Sequence, residues 1–327
     1  MPRDREKRSE MKSNRTLKDW VIAVRPWSFP ASVIPVLVSL AYLWCYSSVP
    51  SVALGSQGAG QPQDMTGLLL CLPLMILVHA GGNLVSDYYD HIRGVDKPDG
   101  PNGVTWIHDG TFAPREILHY GLVLLALGAA VGALIISRTG GQPLWIGALG
   151  LALALGYPWL KAHVLGDVDI FMCFALLPSL GMGYVGTGDY LWEMVVVCLP
   201  YGMLTVAILH ANNTRDIAND TQAGLHTAAS LMGWRGSQWS YVAEQWIPYA
   251  LVAAMSVAVC LRVGLAGLSL LLVVLTLPLA RRNTKAMMAV QRGESSAIGQ
   301  LDKLSAQEQL SFGLLYALGF VVLRLVA

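Results

Sequence analysis

Long apolar runs separated by polar connections dominate the chain. Runs of bilayer length lie at about 20–47, 66–89, 118–137, 143–160, 169–188, 192–212, 240–261, 264–281 and 308–327. Each supplies close to the ~20 apolar residues that a helix needs to cross a hydrocarbon core of ~30 Å, so the pattern predicts nine membrane-crossing helices. Pro26, Pro30 and Pro35 interrupt the first run, which predicts a shallow entry or a kink there. Polar residues break in abruptly at two places. Asn83-Leu84-Val85-Ser86-Asp87-Tyr88-Tyr89-Asp90 closes the second run, and Asn212-Asn213-Thr214-Arg215-Asp216-Ile217-Ala218-Asn219-Asp220 closes the sixth. At about 100° per residue, Asn83, Asp87 and Asp90 fall within roughly 60° on one helix face, and Asn212, Asp216 and Asp220 within roughly 80°. The shared N-x-x-x-D spacing makes a weak internal repeat.

Composition sharpens the class. The 327 residues are 54% hydrophobic and 13% charged, which excludes an ordinary soluble domain and indicates an integral membrane protein. A net charge of +1 speaks against a nucleic-acid surface. With nine spans and a cytosolic N-terminus, 19 of the 22 Lys and Arg residues fall inside, leaving only Arg138, Arg262 and Arg324 outside, as the positive-inside rule requires. The same count places both acidic clusters on the cytosolic side. Long polar connections at about 90–117, 213–239 and 282–307 lie there too. Residues 1–19 read as a retained basic cytosolic tail without a cleavage site, and 20–327 as a single transmembrane domain. Cys45, Cys71, Cys173, Cys198 and Cys260 all lie in apolar spans without CxxC spacing and read as buried thiols.

Carboxylates gathered at the mouth of a membrane bundle repel one another unless a cation sits between them. Hard oxygen ligands suit Mg²⁺, which typically also takes oxygens from a substrate phosphate, so the expected ligand is a magnesium-bound phosphate ester. Acids at bilayer depth are costly and usually functional. The expected metal-facing set is Asn83, Asp87 and Asp90 from the first cluster with Asp216 and Asp220 from the second. Asp96 joins only if the chain bends after Gly94, which should break the helix. Negative charge on this scale needs basic partners. Lys161, Arg215, Arg93 and Lys97 lie at the same membrane face, and Lys161 is the lone basic residue of its loop. His79 and His210, one turn before the clusters, read as histidines satisfied by hydrogen bonds inside the bundle, with proton transfer as the alternative. Tyr88, Tyr89, Tyr157 and Tyr201 either line a pocket for a carbocation or anchor the interface.

Taken together, Arg25-Pro26-Trp27, Gly82 through Asp90 with Gly94-Val95-Asp96, Leu165-Gly166-Asp167, and His210 through Asp220 followed by Ala223-Gly224 and Thr227 resemble the UbiA superfamily of membrane prenyltransferases. The likeness runs from about residue 20 to 327. It is nearest to the branch that prenylates 1,4-dihydroxy-2-naphthoate in menaquinone synthesis, with its vertebrate menaquinone-forming relatives. The resemblance implies an all-α integral membrane protein, UbiA-type, with nine transmembrane helices around a central cavity. It implies Asp90, Asp96, Asp216 and Asp220 as Mg²⁺ ligands, supported by Asp87 and Asn212. Lys161 and Arg215 would hold the diphosphate, with Asp90, Asp216 and Lys161 carrying the catalysis. The implied partners are a polyprenyl diphosphate, an aromatic acid acceptor and the lipid bilayer, and the product is demethylmenaquinone. The implied location is a bacterial inner membrane with a cytoplasmic active site.

Two departures stand out. The family commonly has Asn where this chain has Ser86, and the loop after Asp96 lacks an arginine that relatives often place there. For the acceptor, 4-hydroxybenzoate and homogentisate are the alternatives. A divalent-cation transporter is the rival from another class. It should place its ligands near mid-bilayer on broken helices.

Overall fold

The structure is a computed structural model, and it describes residues 15–52, 64–94, 106–222, 224, 226–289 and 298–327. Among these residues there is no strand, and the chain runs through eleven α-helices. The short helix α1 (Leu17–Ala23) opens the described chain. The Thr16 backbone N–H and hydroxyl donate to Asp19 Oδ2 at 2.7 and 2.9 Å, while Leu17 and Val21 stay exposed. Arg25 then takes a left-handed φ of 56°, and a 3-10 turn at Pro26–Ser28 leads into α2 (Pro30–Tyr46). The expected interruption thus falls at Arg25. Pro26 and Pro30 each begin a helical segment, where a missing N–H leaves nothing unsatisfied.

Next come α3 (Met65–Ile92), α4 (Pro114–Thr139), α5 (Leu144–Ala162) and α6 (Gly166–Phe171). A π-helical segment at Met172–Leu176 joins α6 to α7 (Leu177–Thr187). Pro178, which has no N–H to return up the helix, lies two residues beyond its end and accounts for the widened turn. After α8 (Met194–Gln222) and α9 (Ala228–Val263), a 3-10 stretch at Gly264–Thr276 precedes α10 (Leu277–Ala289), and α11 (Leu301–Val326) ends the chain.

Among the described residues eight helices are long and apolar enough to cross a membrane, one of them the 62-residue stretch Ala228–Ala289. Straight, that stretch would extend roughly 90 Å, about three bilayer cores. It is not straight. Gly264 adopts φ +73°, a conformation open to glycine at no steric cost, and Ser256 Oγ donates to the Gly267 carbonyl across the turn at 2.8 Å. The stretch folds back on itself, so the described residues make nine crossings.

The surface of the bundle is apolar. Val123, Val257, Leu261 and Leu275 all face outward and exposed, as helices in contact with lipid require. Polar groups instead point inward and find partners. Glu308 on α11, fully buried, accepts from Asn283 Nδ2 of α10 at 2.7 Å and from the Tyr249 hydroxyl of α9 at 3.1 Å. Three helices are thereby tied where no water competes. The two ends of the bundle differ in charge. Arg138 pairs with Asp64 at 2.8 Å and Arg324 reaches Ser47 at one end, whereas Arg93, Lys161 and Arg215 gather at the other. All five cysteines are free, three of them buried and two half-buried.

Candidate functional site

A cavity of about 1220 Å³ opens inside the bundle. Its polar end is built by three helices. α3 brings Ser86 and Asp90, α5 brings Lys161, and α8 brings Asn212, Asp216 and Asp220, the four-residue spacing placing all three on one face. Lys161 Nζ stands 3.8 Å from Asp90 Oδ2. Ser86 Oγ donates to that same oxygen at 3.4 Å. Asp220 feels the charges of Lys161, Asp216 and Asp90, so the acidic ends of α3 and α8 meet in one volume. Away from this end the walls are apolar, with Leu74, Met75, Phe174, Met182 and Leu209 among them.

Several expected ligands stand elsewhere. Asp87, 1% exposed, turns away from the cavity and pairs with the Arg25 guanidinium, which fixes the left-handed turn before α2 against α3. Asn83 lines the cavity but donates its amide to Val24 O and Ser28 Oγ at 3.4 and 3.3 Å. It lies seven residues up the helix from Asp90, a rise of roughly 10 Å, which is too far for a shared ion. Arg215 is not on the cavity wall either. Its Nε and Nη2 donate to the two oxygens of Asp216 at 2.9 and 2.8 Å, and Nη1 lies 3.7 Å from Asp302 Oδ2. Arg215 therefore holds a carboxylate where a diphosphate contact was expected. Arg93 donates to the Pro158 carbonyl at 2.7 Å and clasps the end of α3 to α5. Gly94 does end α3, with φ +70°, and Asp96 and Lys97 lie outside the described residues.

Four charged wall residues were not among the expected site residues. Arg25, the first residue of the Arg25-Pro26-Trp27 motif, lines the cavity. Asp302 and Lys303, at the start of α11, line it as well; at the edge of a long polar connection they read as ordinary loop charge. Asp169 does too, and an acid opening an apolar run was a signal that could have been followed. The histidines behave as expected. His210 Nε2 shares a hydrogen bond with Ser237 Oγ at 2.8 Å, and its Nδ1 stands 3.0 Å from Glu244 Oε1; His79 shares one with Ser32 Oγ at 2.6 Å. Of the four tyrosines only Tyr157 lines the cavity, while Tyr201 is fully buried against Ser179.

The donor set at the polar end suits a hard divalent cation. Asp90, Asp216 and Asp220 supply oxygens, and Asn212 Oδ1 is buried on the wall with no hydrogen-bond partner among the described residues. A carboxylate has about four acceptor positions, so Asp216 can hold Arg215 and still ligate. Among the described residues no three acidic, His or Cys side chains stand close enough to hold a metal alone. Mg²⁺ usually takes one or two carboxylates and completes its shell from water and substrate phosphate, so a site for it need not gather three protein ligands.

Burial pushes the Asp220 carboxyl up to about 6 from its ordinary 3.8; Asp216 and Asp90 reinforce the shift, and Lys161 and Arg215 oppose it. A raised carboxyl pKa means that the folded state binds the proton more tightly than the unfolded chain. The metal-free protein therefore loses stability as pH rises from about 3.8 to about 6, at most about 3 kcal/mol by pH 7. Asp220→Asn is accordingly expected to raise the metal-free melting temperature, and by more at pH 7.5 than at pH 5. Thermal unfolding followed by intrinsic fluorescence checks the sign; an equal shift at both pH values would contradict it.

The family model described as the UbiA prenyltransferase family matches residues 32–297. The chain is 30% identical over 312 residues to UbiA prenyltransferase domain-containing protein 1 of Homo sapiens, covering 93% of this chain and 83% of that one. It is also 30% identical over 309 residues to the Danio rerio protein of the same name, covering 93% and 84%. These names state a family and no acceptor. Among solved structures, the fold matches the apo form of a UbiA homolog from Aeropyrum pernix K1 with a TM-score of 0.63 at 17% identity, over 88% of this chain and 97% of that one. It also matches a UbiA homolog from Archaeoglobus fulgidus bound to DMAPP and Mg²⁺, with a TM-score of 0.55 at 15% identity over 88% and 96%.

Proposed function

The chain belongs to the UbiA prenyltransferase family, and from that premise we propose that it transfers a polyprenyl group from a polyprenyl diphosphate to an aromatic acid, with 1,4-dihydroxy-2-naphthoate as the acceptor and Mg²⁺ as the cofactor. One observation carries the reading: Asp90, Asp216, Asp220 and Lys161, from three helices, converge on one end of a cavity whose remaining length is apolar. A charged head and a long hydrocarbon tail need that division. The Archaeoglobus fulgidus homologs bound to DMAPP or GPP with Mg²⁺ support it. The excess of Lys and Arg on one side of the membrane supports a cytosolic opening.

Asp90, Asp216, Asp220 and the Asn212 carbonyl oxygen are the groups that would contribute oxygens to Mg²⁺, one or two carboxylates to an ion, with substrate phosphate and water completing its shell. Mg²⁺, when bound, neutralises diphosphate oxygens and eases the loss of that group. Arg215 keeps the Asp216 carboxylate oriented. Lys161 places a cation beside Asp90, where the leaving diphosphate accumulates negative charge as the allylic C–O bond breaks. The apolar wall excludes water from the allylic cation, so the electron-rich acceptor ring is the nucleophile that reaches it. The Tyr157 ring lines this region and can face the cation. A cation transporter is not favoured, because α3 and α8 pass the site unbroken and the acids cluster at one end.

The test is direct. Purified protein with Mg²⁺, a polyprenyl diphosphate and a panel of aromatic acids is analysed by mass spectrometry. Prenylated, decarboxylated naphthoate is the expected product. Prenylation of 4-hydroxybenzoate or homogentisate in its place would correct the acceptor, and Mg²⁺ uptake into proteoliposomes without any prenylation would remove the enzyme.

A further inference from the structure

Two acids on the cavity wall lie outside both clusters. Asp302 is accounted for by Arg215. Asp169 on α6 is not accounted for. It is 4% exposed, and it faces the same cavity. Its neighbour in the following turn is the weakly donating Cys173 thiol, 3.9 Å from Oδ1, and no cationic side chain among the described residues pairs with it. A carboxylate placed this way inside a membrane bundle is costly unless it is used.

Its position says where it would be used. Tyr157 feels the charges of Lys161, Asp90, Asp169 and Asp167, and it sits one turn along α5 from Lys161, a rise of about 6 Å. Asp169 therefore belongs to the zone where the charged end passes into the apolar cavity, with Ile170, Phe174 and Leu209 on the wall nearby. With the diphosphate at Lys161 and the prenyl tail in the apolar part, the reacting carbon and the acceptor ring meet in this zone.

We propose that Asp169 is the general base that takes the phenolic proton of the aromatic acceptor. This assignment rests on the prenyl-transfer reading above. The allylic C–O bond breaks with its electron pair leaving on the diphosphate. The phenolic O–H proton passes to an Asp169 carboxylate oxygen, and the electron pair released into the ring forms a C–C bond from the carboxylate-bearing ring carbon to the allylic carbon. The carboxylate departs as CO₂. Its bonding pair restores the aromatic ring and the ring oxygen's charge, and that oxygen takes the proton back from Asp169. Protons and electrons balance without an outside reagent. An ionised phenol is a far stronger carbon nucleophile than a neutral one, which is why a base at this point would matter.

The test separates bond breaking from bond making. Polyprenyl diphosphate carrying ¹⁸O in the bridging position reports C–O cleavage by scrambling of the label, with no acceptor needed. In Asp169→Asn, scrambling is expected to stay within about twofold of the unaltered enzyme, while prenylation of dihydroxynaphthoate falls about 100-fold to 1000-fold. With a nitro-substituted hydroxynaphthoate, whose phenol is already ionised, the deficit of the variant relative to the unaltered enzyme should shrink at least about tenfold, and Asp169→Glu should recover part of the rate. Prenylation by Asp169→Asn within about threefold of normal overturns the assignment. So does an equal loss of scrambling and prenylation without rescue by the ionised acceptor, which would mark a structural role. An unaltered enzyme that neither scrambles nor prenylates overturns the transfer reading itself, and this assignment with it.

Discussion

Asp90→Ala and Asp216→Ala are each expected to lower prenyl transfer by about a thousandfold or more, with helical content and detergent melting temperature little changed. The two acids arrive from different helices yet face one volume. Asp90 is held between Lys161 and Ser86, and Asp216 is clamped by Arg215. Neither is part of the apolar packing, so truncation leaves no cavity among buried methyl groups and relieves some mutual repulsion. The variants should also lose the rise in melting temperature that Mg²⁺ with a diphosphate gives the unaltered protein. That readout does not depend on turnover. Near-normal rates in either variant would contradict the assigned role. The Asp216 variant carries a second consequence: Arg215 loses its bidentate partner, while Asp302 Oδ2 still lies 3.7 Å from its Nη1. A double substitution with Arg215→Ala should then cost little more than Asp216→Ala alone, since the two side chains act as one unit.

How much of this was legible in the sequence depended on what periodicity can and cannot express. Spans, their number and the two acidic ends follow from hydropathy and from helical spacing alone, because a membrane helix must satisfy its backbone internally and shows its apolar length directly. The second cluster forms one helix face because α8 continues through it to Gln222. The first cluster misled. Asn83, Asp87 and Asp90 share roughly one face, yet Asp87 is drawn to Arg25, and that pairing depends on a left-handed turn sixty-two residues earlier. No local pattern encodes it. Arg215 misled for a related reason: its place near the membrane face suggested an anion ligand, whereas its neighbour Asp216 and the distant Asp302 occupy it. Arg25 and Asp302 are brought in by α2 and α11, so their proximity is a property of the packed bundle. Hydrophobic periodicity cannot report such contacts.

Lys161→Met is expected to lower kcat by about 100-fold to 1000-fold, which corresponds to roughly 2.7–4 kcal/mol of lost transition-state stabilisation. Its charge has two competing readings, and they predict different data. If Lys161 served only to set topology by positive charge, the folded enzyme would turn over normally once purified, and the loss would be confined to membrane insertion. If it stabilises the departing diphosphate, kcat falls while insertion and folding persist. Its geometry adds a third signature. Lys161 Nζ lies 3.8 Å from Asp90 Oδ2 and lowers the electrostatic penalty of the acids at the cavity end, Asp220 included. Removing it leaves those carboxylates more strongly disposed to take a divalent cation, so half-saturation by Mg²⁺ should shift to lower concentration even as turnover drops. Opposite movement of the two quantities is hard to obtain from a general loss of structure, which would weaken both. Lys161→Arg keeps the charge on a longer, planar head and should recover part of kcat. A variant that retains normal kcat, or that loses kcat and Mg²⁺ affinity together, would move the lysine out of the reaction.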